Sequence, residues 1–138
     1  MTSTESGSIE VDEFLPHPAT RVWEALTNPS ELSRWFMSND FLPEVGHAFT
    51  LDTGLWGPTD CTVLEIETRR LLRYSWQNGR LNTIVTWKLV PEGTGTRVLV
   101  KHQGFDLSDP TQRQAFEGMA GGWRSAVMRA LSQHLGSS

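Results

Sequence analysis

The chain has 138 residues, of which 38% are hydrophobic and 20% are charged, and this composition predicts one globular domain. The formal net charge of −4 argues against a nucleic-acid-binding face as the main function. Cys61 is the only cysteine, which excludes an intramolecular disulfide and fits a reducing compartment. We see neither a signal peptide nor an apolar run of about 18 residues, so we expect a cytoplasmic protein with no membrane partner.

The N-terminal part of the chain predicts a strand followed by a helix. Residues 1–8 are polar and are expected to form a flexible lead, with a single domain over residues 9–136. Ile, Val and Phe side chains predict the first strand from Ile9 to Leu15. Pro18 is suited to the first position of the helix that the following segment, ATRVWEALT, predicts.

A second short helix is predicted to begin at Asn28. Asn28 can cap it, Pro29 suits the first helical position, and Glu31 can reach back as in a capping box. Trp35 and Phe36 end this helix on its apolar face. Since the next loop must carry the chain back to a sheet, we expect this face to point inward and Trp35 to be buried.

Between His47 and His102 the apolar residues recur with a period of two, which predicts strands. A turn is expected over GLWGPTD (54–60), with Gly54, Gly57 and Pro58 as its breakers, and the pair Asn78-Gly79 is a strong hairpin signal. The connections are too short for parallel crossovers, so the strands form an antiparallel meander. The residues that share the predicted core face are Phe49, Leu51, Leu72, Tyr74, Trp76, Val85, Trp87, Leu89, Val98, Val100 and His102.

A long helix is predicted after the meander. Asp109, Pro110 and Gln112 repeat the cap, proline and back-reaching side chain of the earlier helix start, and Gly136 is expected to end the helix. Its apolar stripe consists of Phe116, Ala120, Trp123, Val127 and Leu131, flanked by Met119, Ala130 and His134.

Three glycines, Gly118, Gly121 and Gly122, fall inside this helix. Each costs about 1 kcal/mol relative to alanine, so a cluster of three needs a reason. A close backbone approach or a bend beside a cavity would supply one. The alternative is a helix that begins near Met119 or later.

Four segments carry a resemblance to a known family: HPATRVWEALTNPSELSRWF, LEIETRRLLRYSW, TWKLVPEGTGTRVLVKHQGF and GGWRSAVMRAL. Together, in this order, they resemble the START-like superfamily, also called SRPBCC or helix-grip proteins, over residues 9–135. Within it the chain is most similar to the branch named after the activator of the heat-shock protein 90 ATPase. The resemblance implies an α+β fold in which a curved antiparallel sheet grips a long C-terminal helix, with two short helices after the first strand.

The resemblance also implies an elongated, mostly apolar cavity between sheet and helix, and a small hydrophobic or amphipathic molecule as its ligand. No cofactor is implied, and the oligomeric state stays open, with a homodimer among the alternatives. We expect Trp35 to line or close the cavity mouth together with helix residues near Met119 and Trp123. The full set of expected ligand-binding residues is Trp35, Phe36, Phe49, Tyr74, Trp76, Val85, Trp87, Val100, His102, Met119 and Trp123.

The four histidines are the candidates for a polar group in the pocket or for a metal ligand. His102 shares a strand face with Val100, so it should point inward, either as a hydrogen-bonded structural residue or as a polar anchor or acid/base group. His17, His47 and His134 have no His, Cys or carboxylate neighbours at ligand spacing, so we expect no metal site.

An enzyme remains the alternative to a binding protein, because other branches of the superfamily cyclise aromatic polyketides. Such an enzyme would need two of His102, Tyr74 and Glu65 to converge on one point. Glu65 faces the cavity if its neighbours Leu64 and Ile66 face outward, and otherwise occupies a partly exposed edge position. The chain has no G-x-S-x-G elbow, Walker loop, Rossmann fingerprint or H-E-x-x-H motif, which favours binding over catalysis.

A third alternative is a chaperone-interacting module. The co-chaperone that gives the branch its name resembles this chain only in its C-terminal domain. Its additional N-terminal domain, which matters for chaperone binding, has no counterpart in this sequence. We therefore expect no stimulation of the chaperone ATPase.

Overall fold

A computed structural model describes residues 6–52, 58–79 and 81–137 of the chain. The first part of the expected turn, 54–57 with Trp56, lies outside these residues, whereas Pro58, Thr59 and Asp60 belong to a strand and not to the turn. The described elements are a six-stranded antiparallel sheet, two short helices after the first strand and a long C-terminal helix, which confirms the predicted α+β fold. No helix in the described part of the chain is long and apolar enough to cross a membrane.

The sheet is curved and open, with the strand order β1-β6-β5-β4-β3-β2. Each neighbouring pair is antiparallel, as the short connections between the consecutive strands β2 to β6 require, and β1 pairs antiparallel with β6 although the two are far apart in the chain. β1 begins at Ser6 rather than at Ile9, because Ser6 and Gly7 continue the pairing with Asp106 and Phe105 of β6. The strands are β1 (Ser6–Leu15), β2 (Ala48–Asp52), β3 (Pro58–Glu67), β4 (Leu71–Asn78), β5 (Leu81–Glu92) and β6 (Gly95–Asp106).

One face of the sheet carries most of the core. The predicted period-two alternation is confirmed, since the side chains expected to face inward are all at most 4% exposed. They pack against the helices, while the charged residues between them lie on the opposite face. The buried set is Phe49, Leu51, Leu72, Tyr74, Trp76, Val85, Trp87, Leu89, Val98, Val100 and His102.

The two short helices are α1 (Ala19–Thr27) and α2 (Pro29–Trp35). Pro18 is the residue just before α1 and not its first residue. Asn28 caps α2 as predicted: its Oδ1 accepts from the main-chain N–H groups of Ser30 (2.9 Å) and Glu31 (3.3 Å). This cap fixes where α2 begins, and so the direction of its apolar face.

The Glu31 side chain does not complete the expected capping box. Its Oε1 accepts hydrogen bonds from Arg21 Nη1 of α1 and from His134 Nε2 near the C-terminus, each at 2.8 Å. Burial of Glu31 raises its pKa, but the bonds from His134 and Arg21 outweigh this effect, and the net shift is downward. The carboxylate therefore joins three helices instead of capping one.

The C-terminal helix begins at Pro110, where Asp109 Oδ1 accepts from the Thr111 N–H (2.9 Å). The alternative start near Met119 is therefore wrong. Gln112 reaches back beyond the cap to the Asp106 N–H (2.9 Å). The helix has three parts: α3 (Pro110–Gly121), a π-helical segment (Gly122–Val127) and α4 (Met128–Ser137), which continues past the stop expected at Gly136.

Candidate functional site

A cavity of about 410 Å³ lies between the sheet and the first half of the C-terminal helix. This volume falls within the range of small-molecule binding sites, roughly 300–1,000 Å³. Most of its wall is apolar, and none of the described residues that line it is charged. The lining residues are Phe36, Met37, Thr59, Trp76, Asn78, Gly79, Leu81, Thr111, Gln112, Ala115, Gly118, Met119, Gly122, Trp123 and Val127.

Small residues on the C-terminal helix create the space of the cavity. Ala115, Gly118 and Gly122 recur at intervals of three and four residues, so they lie on one face of the helix, and all three line the cavity. A Cβ atom built on Gly118, Gly121 or Gly122 would meet nothing within 4 Å. A close backbone approach is therefore not the reason for these glycines.

The π-helical segment begins at Gly122, directly beside the cavity. A π-turn inserts one extra residue and changes the face on which the following residues lie. Trp123 and Val127 line the cavity across this segment. The helix is thus irregular at the point where it meets the cavity, which fits the irregularity that the glycine cluster predicts.

An aromatic cluster forms one wall. Trp123 lies at its centre, with ring centroids 5.5 Å from Trp87, 6.0 Å from Phe36 and 6.3 Å from Trp76. Trp35 stacks on the far side of Phe36 at 5.1 Å, and its Nε1–H donates to the main-chain oxygen of Ala25 (2.9 Å). The predicted burial of Trp35 is confirmed at 7% exposure, but Phe36 is the residue that borders the cavity.

His102 holds the helix to the sheet from behind this wall. Trp123 Nε1–H donates to His102 Nδ1 (3.0 Å), so the ring is neutral and carries its proton on Nε2. That Nε2–H donates to Thr83 Oγ1 (2.8 Å), whose hydroxyl in turn donates to the main-chain oxygen of Trp76 (2.9 Å). Burial lowers the pKa of His102 to about 3. These contacts match the structural alternative for His102.

The expected ligand-binding residues separate into three groups. Phe36, Trp76, Met119 and Trp123 line the cavity. Phe49, Tyr74 and Trp87 border a second, very small void of about 10 Å³, which is too small for a ligand. Trp35, Val85, Val100 and His102 border neither space. Strand alternation and helix periodicity place these residues on core faces, but neither pattern distinguishes a cavity wall from solid core.

Several lining residues were missed by the sequence analysis. Met37 follows α2, Thr59 lies at the start of β3, and Asn78 lies at the β4–β5 hairpin, where Asn78 Nδ2–H donates to Thr59 Oγ1 (2.9 Å). The Asn78-Gly79 pair predicted a turn, but it did not indicate that these residues line a cavity. Part of the polar lining is therefore built from strand and hairpin ends, which a periodicity argument cannot assign.

The three groups of the enzyme alternative are not brought together. A bulge in β3 pairs Val63 with Tyr74 but Glu65 with Arg73, so Leu64 is the extra residue. Glu65 consequently lies on the outer face and forms an ion pair with Arg73. On the inner face, burial raises the pKa of Tyr74, and its hydroxyl accepts from Trp87 Nε1–H (3.0 Å).

Cys61, the single cysteine of the chain, is 2% exposed. Burial raises the pKa of its thiol to about 12, so it is protonated at neutral pH. No pair of acid and base side chains reaches one point of the cavity among the residues described above. The geometry is that of a mostly apolar binding cavity and not of a catalytic centre.

A curved sheet that holds a long C-terminal helix, with a cavity between them, defines a START-like, helix-grip protein. Residues 16–136 match the family described as "Activator of Hsp90 ATPase homolog 1-like protein", and the chain belongs to this family. No curated protein matches the chain.

Solved structures agree with this assignment. Protein MLL2253 from Mesorhizobium loti is 34% identical, with a TM-score of 0.87, covering 96% of this chain and 98% of that one. Protein BH1534 from Bacillus halodurans is 30% identical, with a TM-score of 0.80 and coverages of 94% and 96%. CalU16 from Micromonospora echinospora is 26% identical, with a TM-score of 0.77 and coverages of 93% and 65%.

Proposed function

We propose that the protein is a cytoplasmic binding domain for a small hydrophobic or amphipathic molecule. One observation carries the proposal, namely the apolar cavity of about 410 Å³ between the sheet and α3. A solidly packed domain of this size contains few voids larger than a water molecule. Small hydrophobic ligands are also typical of this fold.

The chemistry of the wall supports binding rather than catalysis. Trp123 and Phe36 offer large apolar surfaces, and the polar side chains of the wall are limited to Thr59, Asn78, Thr111 and Gln112 among the described residues. Such a wall favours a ligand by removing apolar surface from water and orients it through a few polar contacts. The chaperone role in the family's name is not extended to this chain, because the observation concerns a cavity between sheet and helix and not a protein-docking surface.

The test is a ligand search followed by a blocking variant. Native mass spectrometry of protein purified without stripping should show a retained small molecule. A thermal-shift screen against lipids, sterols and aromatic polyketides should identify stabilising compounds. A ligand present at 100 times its dissociation constant should add about 2.7 kcal/mol to the free energy of unfolding.

The glycines of α3 provide a matched pair for the blocking variant. Gly118→Leu places a side chain in the cavity, whereas Gly121→Leu makes the same change on the same helix at a position that does not line it. We expect Gly118→Leu to abolish the ligand-induced thermal shift and Gly121→Leu to retain it. Equal loss in both variants, or binding unaffected in both, would contradict the proposed site.

A further inference from the structure

The outer face of the sheet, opposite the cavity, carries the only two lysines of the chain. Ten of the twelve Lys and Arg residues are arginine, whereas both lysines, Lys88 and Lys101, line one groove of about 360 Å³. Lys88 lies on β5 and Lys101 on the neighbouring strand β6. They are diagonal neighbours in the register, so their side chains start about 7–8 Å apart. Two ammonium groups can therefore reach one bound group.

A third cation belongs to the same groove. Arg73 of β4 lies opposite Thr86, and Thr86 lies opposite Lys101, so the three share one cross-strand row. The Arg73 guanidinium is held in place, because its Nη1 donates to Glu65 and its Nε donates to Thr86 Oγ1 (3.2 Å). Its Nη2 has no hydrogen bond to a described residue. Arg73 is thus a positioned cation in the wall of the groove, with one donor nitrogen free.

The lysines lack ionic partners of their own. Neither forms an ion pair with any residue that the structure describes. Two carboxylates of β1, Glu10 and Asp12, border the groove, and Glu10 lies opposite Lys101 in the register. Asp12 is already paired with Arg97 (2.9 Å). The two lysines therefore face one carboxylate without an ion pair, and an excess of positive charge remains.

We propose that this groove binds a phosphate group through Lys88, Lys101 and Arg73. The three cations come from three strands, and a phosphate group offers three strong acceptor oxygens that can be contacted from different sides. A carboxylate has two oxygens in one plane and pairs best with a free arginine fork. Arg73 has only Nη2 free, which suits one bond to phosphate instead.

The arrangement favours a single phosphate group over a polyanion. Glu10 and Asp12 lie along one side of the groove and would repel a chain of phosphates. The site is also separate from the cavity, which lies on the other face of the sheet and needs no anion. A test of phosphate binding is therefore independent of any test of the cavity.

Lysine-selective isotope labelling reports on this groove alone, because the spectrum then contains one main-chain N–H signal for each of the two lysines. Titration with inorganic phosphate or pyrophosphate, at constant pH and ionic strength, should move both signals until they saturate. Pyrophosphate should bind more tightly than phosphate, since it carries more charge and more acceptor oxygens, and acetate should bind more weakly. Chloride at the same ionic strength should leave both signals in place.

Charge-neutralising variants locate the site. Lys88→Gln and Lys101→Gln each remove one signal, which assigns the spectrum, and each should weaken phosphate binding about fivefold, the effect of one unit charge at roughly 4 Å in water. Glu10→Gln should strengthen binding, because it removes the unpaired carboxylate. Arg124→Gln is the control: it makes the same change in net charge on the C-terminal helix, outside the groove, and should leave the affinity unchanged. All four side chains are exposed, so the variants should fold.

A vesicle experiment distinguishes the two sources of a phosphate group. Given phosphate binding, sedimentation with phosphatidylcholine vesicles that contain phosphatidic acid, but not with phosphatidylcholine alone, assigns the group to a lipid headgroup. Phosphate binding without sedimentation assigns it to a soluble molecule. The proposal is overturned if neither phosphate nor pyrophosphate moves the lysine signals, if chloride moves them equally, or if acetate binds as tightly as phosphate. Equal loss of affinity in Arg124→Gln and Lys88→Gln also overturns it.

Discussion

The two halves of the C-terminal helix use side chains of different size. α4 packs against α1 and α2 with Met128, Leu131 and Leu135, which are at most 3% exposed. α3 presents Ala115 and Gly118 toward the sheet, and the space they leave is the cavity. The contrast shows that the position of the cavity follows from residue volume along one helix, since both halves have ordinary α-helical backbone.

The largest expected effect tests the solidly packed part of the core, which contains Trp35. Trp35→Ala should lower the free energy of unfolding by roughly 3–5 kcal/mol, because Trp35 is 7% exposed, packs on Phe36 and Trp87, and donates to Ala25. Denaturant unfolding measures this change, and ligand titration of the same variant should show a smaller effect.

Phe36→Ala is the comparison for Trp35→Ala, since Phe36 borders the cavity and is only half-buried. It should cost less stability and change ligand affinity more. A Trp35→Ala variant with native stability would show that the stacking seen here is dispensable; one with native stability but altered affinity would make Trp35 a mobile gate.

The next effect concerns the junction between the two halves, where Trp123 donates to His102. The pKa of His102 is about 3 in the folded protein and about 6.5 when unfolded, so the unfolded chain binds the proton more strongly. Its contribution to stability is complete above pH 6.5 and is lost as the pH falls toward 3. Between pH 6.5 and pH 5 the free energy of unfolding should fall by about 2 kcal/mol.

Denaturant unfolding at several pH values measures this slope. His102→Gln is the control, because glutamine can accept from the Trp123 N–H but does not titrate. Its stability should depend less on pH over the same interval. Glu31 contributes little in this window, since its pKa is lowered from 4.5 and the stability linked to it is lost mainly below pH 5. If the free energy of unfolding depends on pH equally in the wild type and in His102→Gln, His102 is not the source of the pH dependence.

The smallest expected effect concerns the glycines of α3, the half of the helix that borders the cavity. Gly118→Ala and Gly121→Ala should each stabilise the protein by about 0.4–1 kcal/mol, because alanine restricts the unfolded chain and a Cβ atom meets nothing at either position. Thermal unfolding would measure both. Destabilisation by Gly118→Ala alone would mean that the helix needs a glycine there for its backbone and not for the space it leaves.

Local signals in the sequence determined much of this fold. Asn28 and Asp109 cap their helices as predicted, because a cap needs only N–H groups two or three residues away. The alternation in the strands placed Trp76 and His102 on the core face, since side chains in a strand alternate regardless of what they pack against. The order of the elements then left the sheet and the long helix to cover each other.

Tertiary structure decided the rest. The β3 bulge moves Glu65 to the outer face, because it depends on pairing with β4 and breaks the alternation that the sequence suggests. Glu31 finds His134, which lies 103 residues away, instead of its own helix start. Phe36 rather than Trp35 borders the cavity, and His102, which the alternation placed on the core face, does not border it. These outcomes depend on which side chains from distant segments meet and how much volume they fill, and periodicity along the chain carries no information about either.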